Sequence, residues 1–320
     1  MADTVFAESL AFNQMKKRAV SARSYRVKIA PTNGTSFLPG STIQVDLAGN
    51  QAGTYYNFNQ MYLKVKVRNT AEFTWDRAGA LGLIKRLQIS TAGAQLCDIN
   101  NYNVLATALM DTDSSLEYKA GYGALLLGTS GDSLAGKKVA AGQVVTYCIP
   151  IVLNPLAQTT PHRMIPAFSL SSIQVRMTLD SSAESAQSAG VAFAAVAGVP
   201  PFTEVELVCM MTELSSDAQA KVDASTGGKY DILATSWMQA AGNKAANVTG
   251  LTQNLGFSMS SLERILAIHR PTASVGAAAA FSLGNRGTGG LSQYSYSINS
   301  EMFPARPILV EDQGAEAAAE

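Results

Sequence analysis

The sequence predicts an all-β fold in which one sandwich is built twice. Three observations carry this expectation. Short segments along most of the chain alternate apolar and polar residues with period two, the spacing of a strand that turns one face to a core and the other to solvent. Gly, Pro, Ser and Asn punctuate these segments at short intervals. The spacing Leu-x-basic-x-Leu-x-Ile also occurs once in each half, as Leu83-Ile84-Lys85-Arg86-Leu87-Gln88-Ile89 and as Leu262-Glu263-Arg264-Ile265-Leu266-Ala267-Ile268. With 320 residues and 47% apolar content, the chain can bury a substantial core.

Residues Met1 to Arg23 read as a terminal arm with room for a short helix. Phe6, Leu10 and Met15 are its sparse apolar points, followed by Lys16, Lys17, Arg18 and then Arg23. Alternation begins with Tyr25, Val27 and Ile29, and resumes with Ile43, Val45 and Leu47. Met61, Leu63, Val65 and Val67 interleave with Tyr62, Lys64, Lys66 and Arg68, giving a strand with one apolar and one basic face. The first copy of the repeated spacing follows. Beyond the Ala92-Gly93 turn, Val104, Leu105, Ala108 and Leu109 have helical spacing within the stretch Asn101 to Tyr122. Gly121 to Gly142 reads as a long excursion.

Strands are expected again from Val145 to Leu153, from Ile173 to Leu179 and from Phe202 to Leu214, with the Ala/Ser/Gly-rich loop Ser181 to Pro201 before the last. Ser215 to Gly228 has the cap residue and Gly-Gly ending of a short helix, which bridges the halves. In the second half, Tyr230 to Met238, Gly256 to Ser258, Leu262 to His269, Ala280 to Leu283 and Gln293 to Ile298 are strand candidates. Many short strands and few helices describe a sandwich or jelly roll rather than a parallel α/β sheet. The first half takes far more residues than the second before the Ala/Glu-rich ending, so either the second module is reduced or the chain stops early.

Composition narrows the function classes. Twenty-four basic residues balance 24 acidic ones, so no global field draws the main body to nucleic acid. Scarce Lys and Glu beside abundant Ala, Ser, Gly and Thr fit flanks covered by neighbours. Cys97, Cys148 and Cys209 have neither metal-ligand nor CxxC spacing and read as reduced thiols. No apolar run reaches the roughly 18 residues that span a bilayer.

Chemistry is sparse. His162, in a proline-flanked loop, and His269, at a strand end, have no second His or carboxylate at ligand spacing, so packing is the expected role of each. The Gly-rich stretch Gly284 to Gly290 lacks the Lys-Ser/Thr of a phosphate loop and reads as a hairpin tip. Glu204 and Glu206, two apart on a strand, share a face that reads as solvent or a subunit contact, and Asp111-Thr112-Asp113 lacks the rest of a calcium loop. Tyr55, Tyr56, Phe58 and Tyr62 beside Lys64, Lys66 and Arg68 form the pattern of a nucleic-acid platform, which a covered sheet face explains as well. Lys16, Lys17, Arg18 and Arg23 belong either to a soluble leader or to an arm that meets anionic lipid headgroups or the acidic flank of a neighbour. No catalytic residue, metal site or cofactor is expected.

Two stretches add a resemblance. Ser260 to Ile268, and Tyr294 to Ile308 with its Phe303-Pro304-Ala305-Arg306-Pro307 ending, resemble the second-roll pattern of double jelly-roll major capsid proteins, in which a Ser-Leu-basic strand precedes one ending in an aromatic-Pro-x-x-Pro turn. Ile84 to Tyr102 and Val144 to Leu179 look like later strands of a first roll. The likeness covers roughly Tyr25 to Ile308. It points to tailless icosahedral viruses with an internal membrane, the Flavobacterium-infecting lipid phage type among them.

The resemblance implies two jelly-roll sandwiches side by side with a few inserted helices. Residues 1–24 would be the arm, 25–214 the first roll, 215–229 a linker and 230–320 a second roll that lacks its last strands after Ile308. It further implies a non-enzymatic major capsid protein of a bacteriophage virion, assembled in the host cytoplasm as trimeric pseudo-hexagonal capsomers. Its partners would be copies of itself, minor capsid and vertex proteins, and an internal membrane through the arm, with no specific nucleic acid. The alternative is a β-sandwich receptor- or carbohydrate-binding protein of a virion or cell surface.

Overall fold

The structure is a computed structural model that describes residues 21–48, 52–131, 135–151, 153–157, 164–170, 172–245, 248–257, 259, 261–277, 281–285 and 291–309. Eight strands build its main body. In chain order they are β1 (Ala22–Ile29), β2 (Thr42–Ala48), β3 (Thr54–Arg68), β5 (Ile84–Thr91), β6 (Ala94–Ile99), β8 (Val144–Pro150), β10 (Ser172–Leu179) and β12 (Phe202–Leu214), while β4 (Phe73–Trp75), β7 (Lys138–Val139), β9 (Ile165–Pro166) and β11 (Ala186–Ser188) are short additions.

First pairs with last and second with second-last, so the strands fold like one long hairpin rolled on itself. β1 lies antiparallel to β12, β2 to β10, β3 to β8 and β5 to β6. Cross-pairing of β12 with β3 and of β10 with β5 then closes two sheets, ordered β1-β12-β3-β8 and β2-β10-β5-β6. That is jelly-roll topology, and it confirms the all-β expectation.

Alternation fills the space between the sheets. One sheet turns Phe58, Met61, Leu63 and Val65 of β3, Ile149 of β8, and Leu207 and Cys209 of β12 inward. The other contributes Ile43, Val45 and Leu47 of β2, Leu87 and Ile89 of β5, and Ile173, Val175 and Met177 of β10. All belong to one continuous buried cluster, in which each full apolar side chain contributes about 1.5–3 kcal/mol. The phase of β3 slips by one between Phe58 and Met61, where its register with β12 also shifts, and this bulge keeps both ends of a 15-residue strand facing the core.

The short sheet β11-β4-β7 plugs one end of the sandwich with aromatic rings. Trp75 is fully buried, its indole N–H donates to the Tyr147 hydroxyl at 2.9 Å, and Phe73 and Tyr147 meet it edge-on at ring-centroid distances of 4.8 and 5.3 Å. Gly128 permits this plug because a Cβ there would lie 2.8 Å from Trp75 Cδ1, and its φ is +72°.

Helices α1 (Tyr102–Asp113), α2 (Leu116–Ala120) and α3 (Tyr122–Leu126) are inserted between β6 and β8, and α4 (Ser182–Ser185) precedes β11. After β12 comes α5 (Ser216–Thr226), capped by the Ser215 hydroxyl on the Ala218 N–H and ended by Gly227 at φ 62°, as its sequence predicts. The Tyr55 hydroxyl donates to Gln219 at 2.9 Å and ties this helix back to β3.

Fewer of the strand candidates in the second half form. Among the described residues of 229–292, regular structure is limited to a 3-10 turn at Thr272–Ser274 and an isolated bridge at Ala234. The described residues of Tyr230 to Met238, Gly256 to Ser258, Leu262 to His269 and Ala280 to Leu283 therefore form no strand. The physical reason is that alternation marks a strand only where a neighbouring strand receives its N–H and C=O groups, and among the described residues no ladder forms here. The second copy of the repeated spacing is thus outside any sheet, whereas its first copy is β5.

Gln293 to Ile298 does form a strand, β13, which pairs with β14 (Glu301–Leu309). Asn299 and Ser300 between them have φ 50° and 70°, the positive pair that a tight two-residue hairpin turn demands. Phe303 to Pro307, expected as a turn, lies inside β14; an edge strand tolerates proline because no partner needs its missing N–H.

The second half is anchored to the roll by the segment around 270–285. The Asp76 carboxylate accepts the Leu283 and Gly284 N–H groups at 2.7 and 3.1 Å and the Arg77 N–H at 2.6 Å. Burial pushes the Asp76 carboxyl up against the pull of these N–H groups. Leu283 is fully buried against Gly82, Arg270 pairs with Glu184 at 3.5 Å, and the Ser282 hydroxyl donates to Glu184.

Two predictions follow from this packing. Gly128→Ala should destabilise the full chain by about 2–4 kcal/mol, combining left-handed strain with overpacking against Trp75, as read by denaturant unfolding. Asp76→Ala strands two buried N–H groups, at about 1–3 kcal/mol each. Hydrogen exchange at Leu283 and Gly284 should therefore accelerate while β12 keeps its protection.

Candidate functional site

The outer face of the β1-β12-β3-β8 sheet carries the basic strand seen in the sequence. Lys64 Nζ lies 3.1 Å from Glu206, which Lys28 approaches at 3.9 Å, and Lys66 Nζ lies 2.6 Å from Glu204. The hydrogen bond from Lys66 holds the Glu204 carboxyl below its ordinary range, and the bond to Glu206 raises Lys64. A bulge between Thr203 and Glu206 puts Glu204 at φ 49°, so the two carboxylates occupy irregular strand positions and each serves its own lysine. They do not form an acid–base pair.

The residues of the nucleic-acid pattern divide between the two faces of β3. Tyr55, Tyr56 and Phe58 are buried, whereas Tyr62 is half-buried and Arg68 exposed on the outer face with Lys64 and Lys66, which pair with Glu206 and Glu204. On the opposite sheet Arg86 grips Asp98 with two bonds of 2.7 and 2.5 Å, and Gln174 donates to Asp46 at 2.9 Å.

Asp111, from the would-be calcium run, sits between Arg77 at 3.2 Å and Lys119 at 3.1 Å, while Asp113 faces Arg264 at 3.9 Å. Among the described residues no group of three or more His, Cys, Asp or Glu could hold a metal ion, and no helix is long and apolar enough to cross a membrane. His269 is exposed, and His162 and residues 286–290 of the Gly-rich stretch lie outside the described residues.

Of the four basic residues assigned to the arm, Lys16, Lys17 and Arg18 lie outside the described residues. Arg23 is part of β1, where it pairs with Glu213 at 2.7 Å and stacks 5.0 Å above the Tyr25 ring. Hydrogen bonds from Tyr25 and then Arg23 hold the Glu213 carboxyl below its ordinary range.

Two surfaces were missed by reading the sequence. Leu116, Tyr122 and Leu125 are exposed on α2 and α3, and Ile298, Met302 and Phe303 are exposed on the β13–β14 hairpin. Apolar positions in a helix or strand are ordinarily assigned to the core, so only burial reveals them. Exposed apolar side chains also occur elsewhere, at Val144 on β8, at Val191, and at Leu233 and Met238 after α5.

No protein-family model and no curated protein matches the sequence. Among solved structures the chain is similar to a PBCV-1 virus capsid model, at 13% identity and a TM-score of 0.46, covering 66% of this chain and 46% of that one. PBCV-1 VP54 fitted into the virophage Sputnik gives 13% and 0.44 over the same shares, and the Faustovirus major capsid protein 11% and 0.45, covering 67% and 58%. The chain thus spans about half the length of these structures.

The cysteines provide a check on the sheet packing. Burial pushes the Cys97 thiol to about 11 and the Cys209 thiol to about 12, and raises Cys148 less while leaving it partly accessible. Native protein treated with iodoacetamide near pH 8 should be alkylated at Cys148 first, with Cys97 and Cys209 reacting only on unfolding, as mass spectrometry would read.

Proposed function

We propose that this chain is a major capsid protein that self-assembles, as trimeric pseudo-hexagonal capsomers, into an icosahedral virus shell. Residues 25–214 are its first jelly roll, 215–229 the linker and 230–320 the counterpart of that roll. The observation that carries the reading is the combination of a complete jelly roll with uncovered apolar surface at inserted helices and hairpin rather than in a pocket. Jelly rolls serve as shell proteins, lectins and cupin enzymes, and fold alone does not choose among them. A cupin needs a polar, ligand-lined barrel interior, whereas this interior is filled by Met61, Leu63, Ile89, Val175 and Met177. A shell protein needs neighbours, and apolar surface left in solvent is surface that awaits them.

The virion is then its place of action, and other copies are its principal partners. Minor capsid and vertex proteins would complete the shell. Lys16, Lys17 and Arg18 would reach an internal membrane, at about 1 kcal/mol per basic residue near an anionic surface, which becomes effective when many copies act together. Arg23 is committed to Glu213 and acts as a strap on β1.

Light scattering on the full chain tests the reading. A tight trimer that proceeds to shells or sheets is the expected result, and a stable monomer that binds a glycan array would favour the carbohydrate-binding alternative. Deleting residues 1–20, which spares β1, should leave the trimer folded and lower the lipid content of assembled particles; unchanged lipid content would remove the arm from membrane attachment.

A further inference from the structure

From Ala189, after β11, to Phe202, the first residue of β12, no side chain carries a polar atom. Phe193 and Phe202 set this loop in the core. Both are buried, and the Phe193 ring lies 5.0 Å from Phe73, 5.6 Å from Trp75 and 5.4 Å from Phe202. Between them Ala195 to Val199 are exposed, and a Cβ added at Gly198 would meet nothing within 4 Å. Two backbone hydrogen bonds close this tip into a tight turn. The Val196 N–H donates to the Val199 carbonyl at 3.0 Å, and the Val199 N–H to the Val196 carbonyl at 2.9 Å.

Two features separate the tip from an ordinary surface turn. Ala197 and Gly198 have φ 49° and 80°, a pair that Asn-Gly or Asp-Gly adopts with least strain. Alanine at the first position accepts left-handed strain and leaves the turn without a polar side chain. The N–H and C=O groups that Val196 and Val199 exchange also need no water, which is the requirement for entering a medium that offers no hydrogen bonds.

We propose that this tip inserts into the interfacial region of a lipid bilayer. The charge at its base fits that occupant. Arg68 is exposed, donates its backbone N–H to the Pro201 carbonyl at 2.8 Å and has no carboxylate partner among the described residues. The nearby Glu204 and Glu72 are paired with Lys66 at 2.6 Å and Lys138 at 2.7 Å. A cation so placed meets a lipid phosphate while the valines enter the acyl boundary. Leu38, next to the Phe37–Phe202 bridge, and Val144, opposite Arg68, add exposed apolar area at the same end. Ala, Val and Gly give a protein pocket none of the aromatic or Arg anchors on which binding energy concentrates, whereas a bilayer asks only for apolar area. The contact is separate from the basic arm and does not depend on shell assembly.

The test floats full-length protein with vesicles of equal parts phosphatidylcholine and phosphatidylglycerol. Ala197→Asp suits the turn, so it should keep or raise the thermal transition while vesicle binding falls at least tenfold. Val196→Trp reports depth: its added fluorescence should be quenched by brominated acyl chains, while that of Leu125→Trp on exposed α3 is not. Binding of Ala197→Asp equal to the parent's overturns the proposal, as does a vesicle-bound Val196→Trp chain that brominated lipid leaves unquenched; either result assigns attachment to another segment such as the arm. A parent that does not float overturns it too, and loss of self-association in Ala197→Asp would then mean that a second copy covers the tip. If Ala197→Asp fails to fold, quenching of Val196→Trp decides alone.

Discussion

The roll depends on β12 being held between β1 and β3. Pairing runs from Ala22↔Leu214 to Ile29↔Leu207 on one side and from Phe202↔Val67 to Glu213↔Thr54 on the other. β12 is the last strand of the roll in the chain, yet it occupies an inner position of its sheet. Until it arrives, β1 has no partner and the inward faces of β3 and β8 lack part of their cover. Each of these contacts closes a loop of well over a hundred residues, so they form at high entropic cost and reward the chain only together. The Arg23–Glu213 pair and the Tyr25–Glu213 bond sit at the end where that zipper closes.

The same closure explains which parts of the fold were legible. β1, β2, β8, β10 and the Met61–Val67 part of β3 carry clean alternation, because one face meets the opposite sheet and the other meets solvent, whereas β12 is apolar on both faces around its bulges. β4, β7, β9 and β11 have two or three residues each, too few for any period to register, and β6 has only Leu96, Cys97 and Ile99 as weak apolar marks. The bulge at Glu204 was invisible because a non-glycine residue at positive φ leaves no compositional trace. In the second half, alternation in Leu262 to Ile268 matched that of β5, but β5 is a strand because β10 and β6 flank it. Pattern specifies which face a strand would bury; only neighbours supply the ladder.

The candidate chemistry dissolved for a related reason. Residues close in sequence were weighed as partners for one another, such as Glu204 with Glu206, or the tyrosines with the lysines after them. In the sheet, several charged residues pair with an adjacent strand instead: Lys66 with Glu204, Lys64 with Glu206, Arg86 with Asp98. Exposed pairs of this kind contribute at most about 1 kcal/mol each, so their main effect is on what the surface can attract.

A division of labour follows between faces and insertions. The sheet faces are polar, with Lys64, Lys66 and Arg86 paired across strands while Arg26 and Arg68 stand exposed beside them. The insertions are open, since the triad of Arg77, Asp111 and Lys119 turns leucine and tyrosine outward on α2 and α3, and the hairpin has only its own two strands. In the assembly proposed above, contact is therefore directed. Face-to-face stacking would gain little, because it would dehydrate charges already paired, whereas contact through the insertions removes apolar surface from water at about 25 cal/mol per Å². In the assembly proposed above, contacts between unlike patches would close a ring or run on as an open filament according to the rotation between neighbours.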